Sequence, residues 1–230
     1  MVEKVFRDIL ETLKLEICLS RATDSSLIEL AQTSRRLSFL KGEYIFIDGD
    51  ASEYFYLVES GRVILSKDAP SGKAFTFLIA TRGLPLNAVA CFKPRPRFFS
   101  ARAVEKTMVI AIPSTAFKQW VLQNADVAAC ILDTMGNLLD GAYTRILDLI
   151  DESAEQRILN ALNMLSLRIG PDLPMTNNDI ADMTGTSRET AARVISRLQE
   201  AGLIRKSRGH IEILNGLQLD GLSTSPIFIL

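Results

Sequence analysis

A segment near the C-terminal end constrains the fold of this chain more tightly than any other. Thr176 is suited to cap a short helix, with Asp179 three residues later in the position of a capping box. Gly185 permits a tight turn, and Ser187 is suited to cap a second helix that Gly202 ends. The apolar face of that second helix consists of Ala191, Val194, Ile195 and Leu198. This pattern predicts a helix-turn-helix.

The opposite face of the second predicted helix carries Arg188, Glu189 and Arg193. In a helix-turn-helix, side chains from these first turns enter the major groove of DNA. Arginine forks onto O6 and N7 of guanine and glutamate accepts from N4 of cytosine, so we expect this triad to read bases. The alternative for Glu189 is an ordinary solvated carboxylate. Phosphate contacts that set the register are expected from Thr176, Ser187, Thr190 and Arg197.

Charge is distributed unevenly along the chain. The net charge is only −1, which excludes a protein that coats nucleic acid through overall positive charge. The segment from Gly185 to His210 nevertheless carries six cations against two anions. A local basic face on a near-neutral chain is typical of a regulator that binds DNA through one surface.

Composition is that of an ordinary globular protein, with 47% apolar and 23% charged residues over 230 positions. No run of about 18 apolar residues occurs, and the N-terminus lacks a signal-peptide layout, so we expect a cytoplasmic protein with no membrane partner. Cys18, Cys91 and Cys130 are widely spaced. This spacing predicts neither a disulfide framework nor a metal site, and we expect three reduced thiols in or near cores.

The hydrophobic period changes once in the N-terminal half. Through about residue 35, apolar residues recur at helical spacing, as at Val5, Ile9 and Leu13. From Leu37 the period becomes two, in short runs divided by turns. This pattern predicts an antiparallel roll or barrel. We expect strands at Val63–Ser66, Ala74–Ala80 and Ala103–Ile112, and turns at Lys41–Gly42, Asp48–Asp50, Ser60–Gly61, Pro70–Gly72 and Arg82–Gly83.

Helical spacing returns after Pro113, where Ser114 is suited to cap a helix. A long helix is predicted from Asp126 to about Ile150, with an apolar stripe wider than one neighbouring domain would cover. We interpret it as a dimerisation helix, against the alternative of a buried core helix. The sequence also predicts a further helix at Ala154–Arg168 and two short wing strands on either side of Ser207–His210. The expected interface residues are Val127, Ile131, Met135, Leu138, Ala142 and Leu149.

Two sequence patterns resemble one known family. The more specific is Thr186-Ser187-Arg188-Glu189-Thr190 with Arg193 and Leu198, followed by Ala201-Gly202-Leu203-Ile204; the other is the glycine pattern Lys41-Gly42, Gly49 and Gly61. Both resemble the Crp/Fnr family of bacterial transcription regulators. The resemblance implies an α+β fold, with an N-terminal antiparallel β-roll of the jelly-roll type and a C-terminal winged helix-turn-helix. It implies a cyclic-nucleotide-binding-like sensor domain at 1–120, a dimerisation helix at 121–150 and a DNA-binding domain at 151–230.

Members of this family are homodimers that bind palindromic DNA. The expected partners are therefore double-stranded DNA, a second copy of the chain, RNA polymerase, and a small-molecule or haem effector. Arg188, Glu189 and Arg193 stand where the cAMP-receptor branch holds its base-reading residues. The iron–sulfur branch carries serine where Ala192 stands, so we expect a half-site closer to TGTGA than to TTGAT.

The family's cassette for a cyclic nucleotide is altered in this sequence. Asn87 stands in the glycine place and Ala88 in the glutamate place. Alanine cannot accept a ribose hydroxyl, and an unsatisfied hydroxyl costs about 1–3 kcal/mol. If this chain lacks one residue relative to the family cassette, Arg97 stands in the place of the phosphate-binding arginine. Phe98 then stands where the family has serine. The sequence therefore disfavours cAMP as the effector.

The cassette region combines apolar and cationic side chains. That mixture suits an amphipathic anion, such as an aromatic acid or the propionates of a haem. The alternative is a solvated loop whose phenylalanines belong to the roll core. The expected pocket residues are Leu86, Asn87, Ala88, Val89, Cys91, Phe92, Arg95, Arg97, Phe98 and Arg102.

Two cofactors of the family, an iron–sulfur cluster and haem, require particular ligands. A four-iron cluster needs four cysteine ligands, and the chain has three. For haem, Cys91 is the one well-placed axial ligand, and it is equally a candidate redox thiol; the alternative is a small buried hydrophobe. The single histidine, His210, lies in the predicted wing. The sequence disfavours the cluster and leaves haem open.

Two other functional classes compete with a DNA-binding regulator. One is a ligand-binding module that acts through protein contacts, which would show no salt-dependent DNA binding. An enzyme is disfavoured because no nucleophile–base constellation, P-loop or dinucleotide fingerprint occurs in the sequence. Residues 220–230 form a tail beyond the family pattern, and we expect its apolar end to dock.

Overall fold

The computed structural model describes residues 2–69, 74–93 and 95–224. Two predicted features therefore lie outside the described residues, the turn at Pro70–Gly72 and the apolar end of the tail at 225–230. The helices are α1 (Val2–Leu15), α2 (Asp24–Gln32), α3 (Ser114–Gln123), α4 (Ala125–Asp151), α5 (Ala154–Ile169), α6 (Asn177–Thr184), α7 (Arg188–Glu200) and α8 (Gly216–Leu222). The strands are β1 (Arg35–Phe39), β2 (Tyr44–Phe46), β3 (Tyr54–Ser60), β4 (Val63–Asp68), β5 (Ala74–Ala80), β6 (Ser100–Ala103), β7 (Thr107–Pro113), β8 (Asp172–Leu173), β9 (Ile204–Ser207) and β10 (His210–Ile213).

The chain divides into two compact units. The first takes in the described residues of Met1–Lys67 and Phe77–Met135, and the second those of Asp68–Thr76 and Gly136–Leu230. The division falls inside α4, whereas the sequence analysis placed boundaries at 120/121 and 150/151. That residues 121–150 act as a separate dimerisation element stays a prediction.

The first unit holds the predicted β-roll, which confirms the α+β fold class. One antiparallel sheet has the order β1-β7-β3, and the other has the order β2-β6-β4-β5. The single strand predicted at Ala103–Ile112 is wrong, because a turn at residues 104–106 divides it into β6 and β7. β7 then pairs with β1 and β3, and β6 with β2 and β4.

The helices around the roll close its hydrophobic core. Phe55 on β3 stacks on Phe117 of α3, with ring centroids 4.0 Å apart, and both rings are fully buried. Ser114 begins α3 but does not cap it as predicted. Its hydroxyl instead donates to the carbonyl of Ser52 at 2.6 Å, which ties α3 to the turn before β3.

Gly61 shows why one predicted turn needs glycine. Its φ is +83°, and an added Cβ would lie 2.6 Å from Oγ1 of Thr107 and 2.6 Å from the carbonyl oxygen of Lys106. Any larger residue would collide with the start of β7 as well as strain the backbone.

The second unit forms the predicted winged helix-turn-helix. Its core is made by one face each of α5, α6 and α7, with Ile158, Ile180 and Ile195 fully buried. The wing strands β9 and β10 pair as expected. The sequence analysis missed β8, which adds a third strand by pairing Leu173 with Ile211.

The chain after α8 docks on α5. Asn160 is fully buried, and its Oδ1 accepts hydrogen bonds from the hydroxyl of Ser223 and the backbone N–H of Thr224, both at 3.0 Å. Asn163 donates to Asp220 at 2.8 Å. These polar contacts fix the chain up to residue 224.

The cysteine prediction is wrong for two of the three thiols. Cys18 and Cys130 are joined by a disulfide across 112 residues of sequence, within the first unit. The spacing that argued against a disulfide framework carries no information about a pair brought together by tertiary folding. Cys91 is a free thiol.

Candidate DNA interface and sensor site

The first helix of the helix-turn-helix begins with the predicted capping box. The hydroxyl of Thr176 accepts from the backbone N–H of Asp179 at 3.2 Å, and the carboxylate of Asp179 accepts from the N–H of Thr176 at 2.8 Å. The box satisfies two backbone donors at the start of α6. The capping box lies at the predicted residues, which confirms the predicted start of α6.

The turn between α6 and α7 also follows the sequence. Gly185 has a left-handed φ of +64° and ends α6, and an added Cβ there would come within 3.2 Å of a methyl group of Leu149. Ser187 caps α7 by accepting from the backbone N–H of Thr190 at 3.1 Å. The start of α7 is thereby held at a defined angle to α6.

The three predicted base-reading residues lie together on the exposed face of α7. Arg188, Glu189 and Arg193 are all exposed, whereas Ala191, Val194 and Ile195 are buried on the opposite face. Within the described residues, no ion pair ties the side chains of the triad to the protein. The geometry leaves their polar ends accessible to a ligand in front of the helix.

The predicted phosphate contacts differ among themselves. Thr176 and Ser187 are exposed although both hydroxyls act in helix caps, and Thr190 is half-buried. Arg197 makes two hydrogen bonds to the carboxylate of Glu155 on α5, at 2.8 and 3.0 Å. Arg197 can therefore reach a phosphate only by leaving this exposed ion pair.

The wing adds cations beside α7. Arg205, Lys206 and Arg208 are exposed on β9 and the turn that follows it. Arg205 pairs with Glu212 on the neighbouring strand at 3.0 Å. His210 lies at the start of β10, with its Nδ1 3.3 Å from Oδ1 of Asp172. This places the single histidine in the wing, as the sequence analysis expected.

Two arginines that the sequence analysis did not single out hold the end of α6. Arg145 on α4 donates to the carbonyl of Met183 at 2.7 Å, and Arg157 on α5 donates to the carbonyl of Thr184 at 2.9 Å. Cations at a helix C-terminus satisfy its unpaired carbonyls and complement the helix dipole. α4 is therefore fixed directly to the turn of the helix-turn-helix.

Arg145 and Arg157 together form an arginine clamp on the end of α6. Burial makes the Arg145 part of this clamp electrostatically costly. Desolvation lowers the pKa of Arg145 to about 10, although the neighbouring Asp148 acts in the opposite direction. Burial also raises the pKa of Asp148, a residue that is only 7% exposed. A half-buried arginine that donates to the carbonyl of Met183 despite this cost supports a positional role for α4.

The predicted dimerisation residues divide between core and surface. Val127 is fully buried in the core of the first unit, and Ile131 packs against the same core, so neither is available to a second copy. Leu138 is half-buried, while Met135, Ala142 and Leu149 are exposed. The exposed apolar stripe recurs at alternating spacings of three and four residues, at Leu132, Met135, Leu139, Ala142, Ile146 and Leu149.

The residue that stands in the predicted glycine place has a left-handed backbone. Asn87 has φ +58° and ψ +60°, which makes it a left-handed residue before the short 3₁₀ helix Ala88–Phe92. Asparagine tolerates this conformation better than most residues. The structure therefore supports the placement of Asn87 at the glycine position of the family pattern.

Most of the apolar cassette residues face the core. Leu86 is 1% exposed, Ala88 and Cys91 pack against the core of the first unit, and Phe92 meets Phe117 edge to face at 6.0 Å. Val89 is half-buried in the 3₁₀ helix. For these residues the geometry favours the alternative reading of roll core over pocket lining.

Arg97 is the exception among the predicted pocket cations, because it is 2% exposed. Its guanidinium lies 3.9 Å from the ring centroid of Phe46 and 5.3 Å from that of Tyr56, and it donates to the carbonyl of Tyr54. Burial lowers the pKa of Arg97, and within the described residues its Nη1 has no hydrogen-bond partner. A buried cation with an unused donor is suited to receive an anion.

The other predicted pocket residues lie nearer the surface. Arg95 and Phe98 are exposed, and Arg102 is half-buried on β6. Lys67 covers the ring of Phe98 at 4.4 Å. These side chains are thus more exposed than Arg97. The ten predicted pocket residues therefore do not share one environment.

Cys91 lies beside this buried cation. Its Sγ accepts from the hydroxyl of Ser114 at 3.4 Å. Burial raises the pKa of the thiol, while Ser114 and the charge of Arg97 act in the opposite direction. A thiol that packs against the core, with its pKa raised by burial, fits the alternative of a small buried hydrophobe.

Two other kinds of functional feature are absent from the described residues. No cluster of three or more histidine, cysteine, aspartate or glutamate side chains there could hold a metal ion. No helix among the same residues has the length and apolar character needed to cross a membrane.

Sequence comparison matches the two halves of the chain separately. Residues 36–124 match the cyclic nucleotide-binding domain, and residues 156–222 match the Crp-like helix-turn-helix domain. The cyclic AMP receptor protein of Thermus thermophilus is 28% identical over 197 residues, covering 85% of this chain and 91% of that protein. The transcriptional activator protein Anr of Pseudomonas protegens is 28% identical over 228 residues, covering 95% and 91%.

Structural comparison gives the same fold. FixK2 from Bradyrhizobium japonicum superposes with a TM-score of 0.73 at 23% identity, covering 84% of this chain and 98% of FixK2. The fold, with the order of its two domains along the chain, is therefore shared with FixK2.

Proposed function

This chain belongs to the Crp/Fnr family of bacterial transcription regulators, and we propose that it binds a palindromic DNA site as a homodimer. The observation that carries the proposal is the triad on α7. Arg188, Glu189 and Arg193 share one exposed face of a helix whose start is capped and whose position is held by a buried core. Because α7 itself is preorganised, binding has to order only the three side chains, which favours base reading over a general surface role.

The proposed half-site resembles TGTGA. Bidentate arginine contacts select guanine and the glutamate selects cytosine, each at about 1–3 kcal/mol. Ala192, half-buried beside the triad, offers no hydroxyl for a further base contact. The basic wing residues Arg205, Lys206 and Arg208 would bind phosphates beside the groove and add affinity without sequence preference.

The homodimer would form through the exposed stripe of α4. Leu132 and Ile146 are 69% and 53% exposed, and the alternating spacing of the stripe suits a two-helix seam. Monomeric proteins rarely leave a contiguous apolar stripe of this length in water. A second copy related by twofold symmetry would cover it and present two recognition helices.

We place the effector signal in the roll. The unused donor of Arg97 supports an anionic ligand, and Ala88 in the glutamate place argues against cAMP. Arg95 and Arg102 would contribute only if the ligand also reaches the surface of the roll. The signal would pass through α4 to the arginine clamp on α6, with the break between α4 and α5 at residues 152–153 as hinge. RNA polymerase is the proposed partner of the DNA-bound dimer in the cytoplasm.

Selection of binding sites from random duplexes tests this function. The wild-type chain is expected to enrich a twofold palindrome, and its affinity should fall by orders of magnitude between about 50 and 200 mM salt. A module that acts only through protein contacts would enrich no sequence and show no such salt dependence. Enrichment of a single, non-palindromic half-site would contradict the homodimer.

A Leu139→Asp variant tests the dimer separately. Leu139 is 52% exposed in the middle of the stripe, so the substitution should not disturb folding but would place two carboxylates in the seam. Light scattering should give the monomer mass. Leu122→Asp is the matched control, because Leu122 is 70% exposed on α3 and lies outside the stripe. An unchanged dimer mass for Leu139→Asp would contradict this interface.

A further inference from the structure

The disulfide between Cys18 and Cys130 joins two elements that the sequence separates widely. Cys18 follows α1 and precedes the short 3₁₀ helix Leu19–Arg21, whereas Cys130 lies in the second turn of α4. Their Cα atoms are 5.3 Å apart, within the usual range for a disulfide. The bond therefore fixes the N-terminal helical segment to the first part of α4.

Cys18 is held in place independently of the bond. One carboxylate oxygen of Glu16 accepts from the backbone N–H of Cys18 at 2.9 Å and from that of Leu19 at 2.6 Å. The sulfur of Cys18 also lies 3.4 Å from the hydroxyl of Thr134, one turn beyond Cys130 on α4. These contacts would keep the Cys18 thiol facing α4 after reduction.

The two cysteine residues differ in exposure. Cys18 is 2% exposed, whereas Cys130 is half-buried at the edge of the same core. A dissolved oxidant would therefore meet Cys130 first, and Cys18 would lie behind it as the resolving thiol. This arrangement of an accessible thiol and a preorganised partner is typical of reversible redox pairs.

We propose that Cys18 and Cys130 form a reversible redox site that equilibrates with low-molecular-weight disulfides such as oxidised glutathione. Disulfides in reducing compartments are usually transient and redox-sensing rather than structural. The inference rests on the proposed function for its compartment and for the role of α4. The chemistry of the pair itself is independent of DNA binding.

The exchange balances without any other reactant. The Cys130 thiolate attacks one sulfur of the small disulfide, and the first small thiolate leaves. The Cys18 thiolate then attacks Sγ of Cys130, forms the internal bond and expels the second thiolate. The two protein thiols are oxidised, one small disulfide is reduced to two thiols, and the two protons pass to the leaving groups.

The site would regulate assembly because Cys130 immediately precedes the stripe that begins at Leu132. In the oxidised form the first turns of α4 are fixed to the core of the first unit. Reduction removes this covalent restraint and leaves the packing of Val127 and Ile131, so the start of α4 is less firmly ordered before the reduced chain dimerises. Prior ordering lowers the entropy cost of association, and the oxidised form should therefore dimerise more tightly.

Thiol counting over a series of reduced and oxidised glutathione mixtures tests the site. The full chain is equilibrated, quenched, denatured and alkylated, and its intact mass is measured. The expected count is three alkyl groups in the reduced form and one, on Cys91, in the oxidised form. Cys91→Ser should keep the two-thiol change, whereas Cys18→Ser and Cys130→Ser should each abolish it. A count that does not change across the series would overturn the proposal.

Sedimentation of the same samples tests the consequence. We expect a dimer dissociation constant about threefold or more lower in the oxidised form, with no such difference in Cys130→Ser. Equal constants for the two wild-type forms would overturn the regulatory role. Absence of DNA binding in both forms would instead contradict the proposed function, and the thiol count would still decide the redox site.

Discussion

The recognition helix α7 and the cassette at residues 86–98 differ in what surrounds their polar side chains. On α7, Arg188 and Arg193 are exposed, and the helix is closed by its own cap. In the cassette, Arg97 is 2% exposed beside the stacked rings of Phe46 and Tyr56, and Leu86 and Phe92 face the core. The first region can change its polar residues without unfolding, whereas the second uses the same residues for packing.

This difference separates two kinds of functional surface. A groove-reading helix needs only correct placement, because its partner brings the complementary groups. A buried sensor must accommodate a ligand among side chains that also stabilise the fold. Substitutions on α7 should therefore affect binding alone, and substitutions in the cassette should affect stability first.

The largest expected effect is the loss of sequence selection in Arg193→Ala. Loss of a bidentate base contact should remove about 1–3 kcal/mol of discrimination in each half-site. Site selection and competition binding measure it, and thermal unfolding should be unchanged. Arg197→Ala is the matched control one turn later; loss of its exposed ion pair with Glu155 should cost about 0–1 kcal/mol and weaken all sequences equally. Selection of the same palindrome by Arg193→Ala would refute the base-reading assignment.

The next effect tests whether the cassette is core. Leu86→Ala should lower the free energy of unfolding by about 2–5 kcal/mol, because it leaves a cavity at a position only 1% exposed. Denaturant titration measures the loss. Leu122→Ala, at a position 70% exposed, is the control and should change stability by less than about 0.5 kcal/mol. A near-neutral Leu86→Ala would indicate an open pocket wall and would weaken the contrast with α7.

Arg97 tests whether every buried residue of the cassette serves packing alone. Arg97→Met keeps most of the side-chain volume and removes an unpaired buried charge, so the unfolding free energy should change by less than about 1 kcal/mol. If the orphaned Nη1 serves a ligand, the variant should lose the stabilisation that benzoate gives the wild type in thermal unfolding. A large loss of stability without any ligand effect would make Arg97 a structural residue like Leu86.

The same contrast explains how much could be predicted from the sequence. Caps and turns of the helix-turn-helix involve residues three apart, as with Thr176 and Asp179, so the sequence shows them directly. The environment of Arg97 depends on Phe46 and Tyr56, which belong to other strands. The Arg145 clamp and the Cys18–Cys130 bond likewise join distant segments, and no local pattern signals such pairs.

Helical periodicity predicted α4 but not the side of it that is covered. The spacing of Val127 and Ile131 fits the same apolar stripe as Met135, yet both pack against the first unit. Only the tertiary structure shows where the core ends and the exposed stripe begins. A residue's class and spacing therefore predict that it is buried, but not which partner buries it.

The smallest expected effect concerns the pH dependence of stability at Glu16. Burial raises the pKa of its carboxyl group, while hydrogen bonds from the backbone of Leu19 and Cys18 act in the opposite direction. A raised native pKa means that protons favour the folded state: the contribution is fully present below the ordinary value near 4.5 and is lost as the pH rises through the native value. Glu16→Gln carries no charge to bury but keeps an oxygen that accepts the two N–H groups. At neutral pH the variant should therefore be the more stable protein, and its advantage should shrink as the pH falls through the raised native pKa toward the ordinary value of 4.5. Denaturant titrations at several pH values, with the disulfide kept oxidised, measure the difference; an advantage that grows on acidification would show that Glu16 stabilises the fold as a charged group.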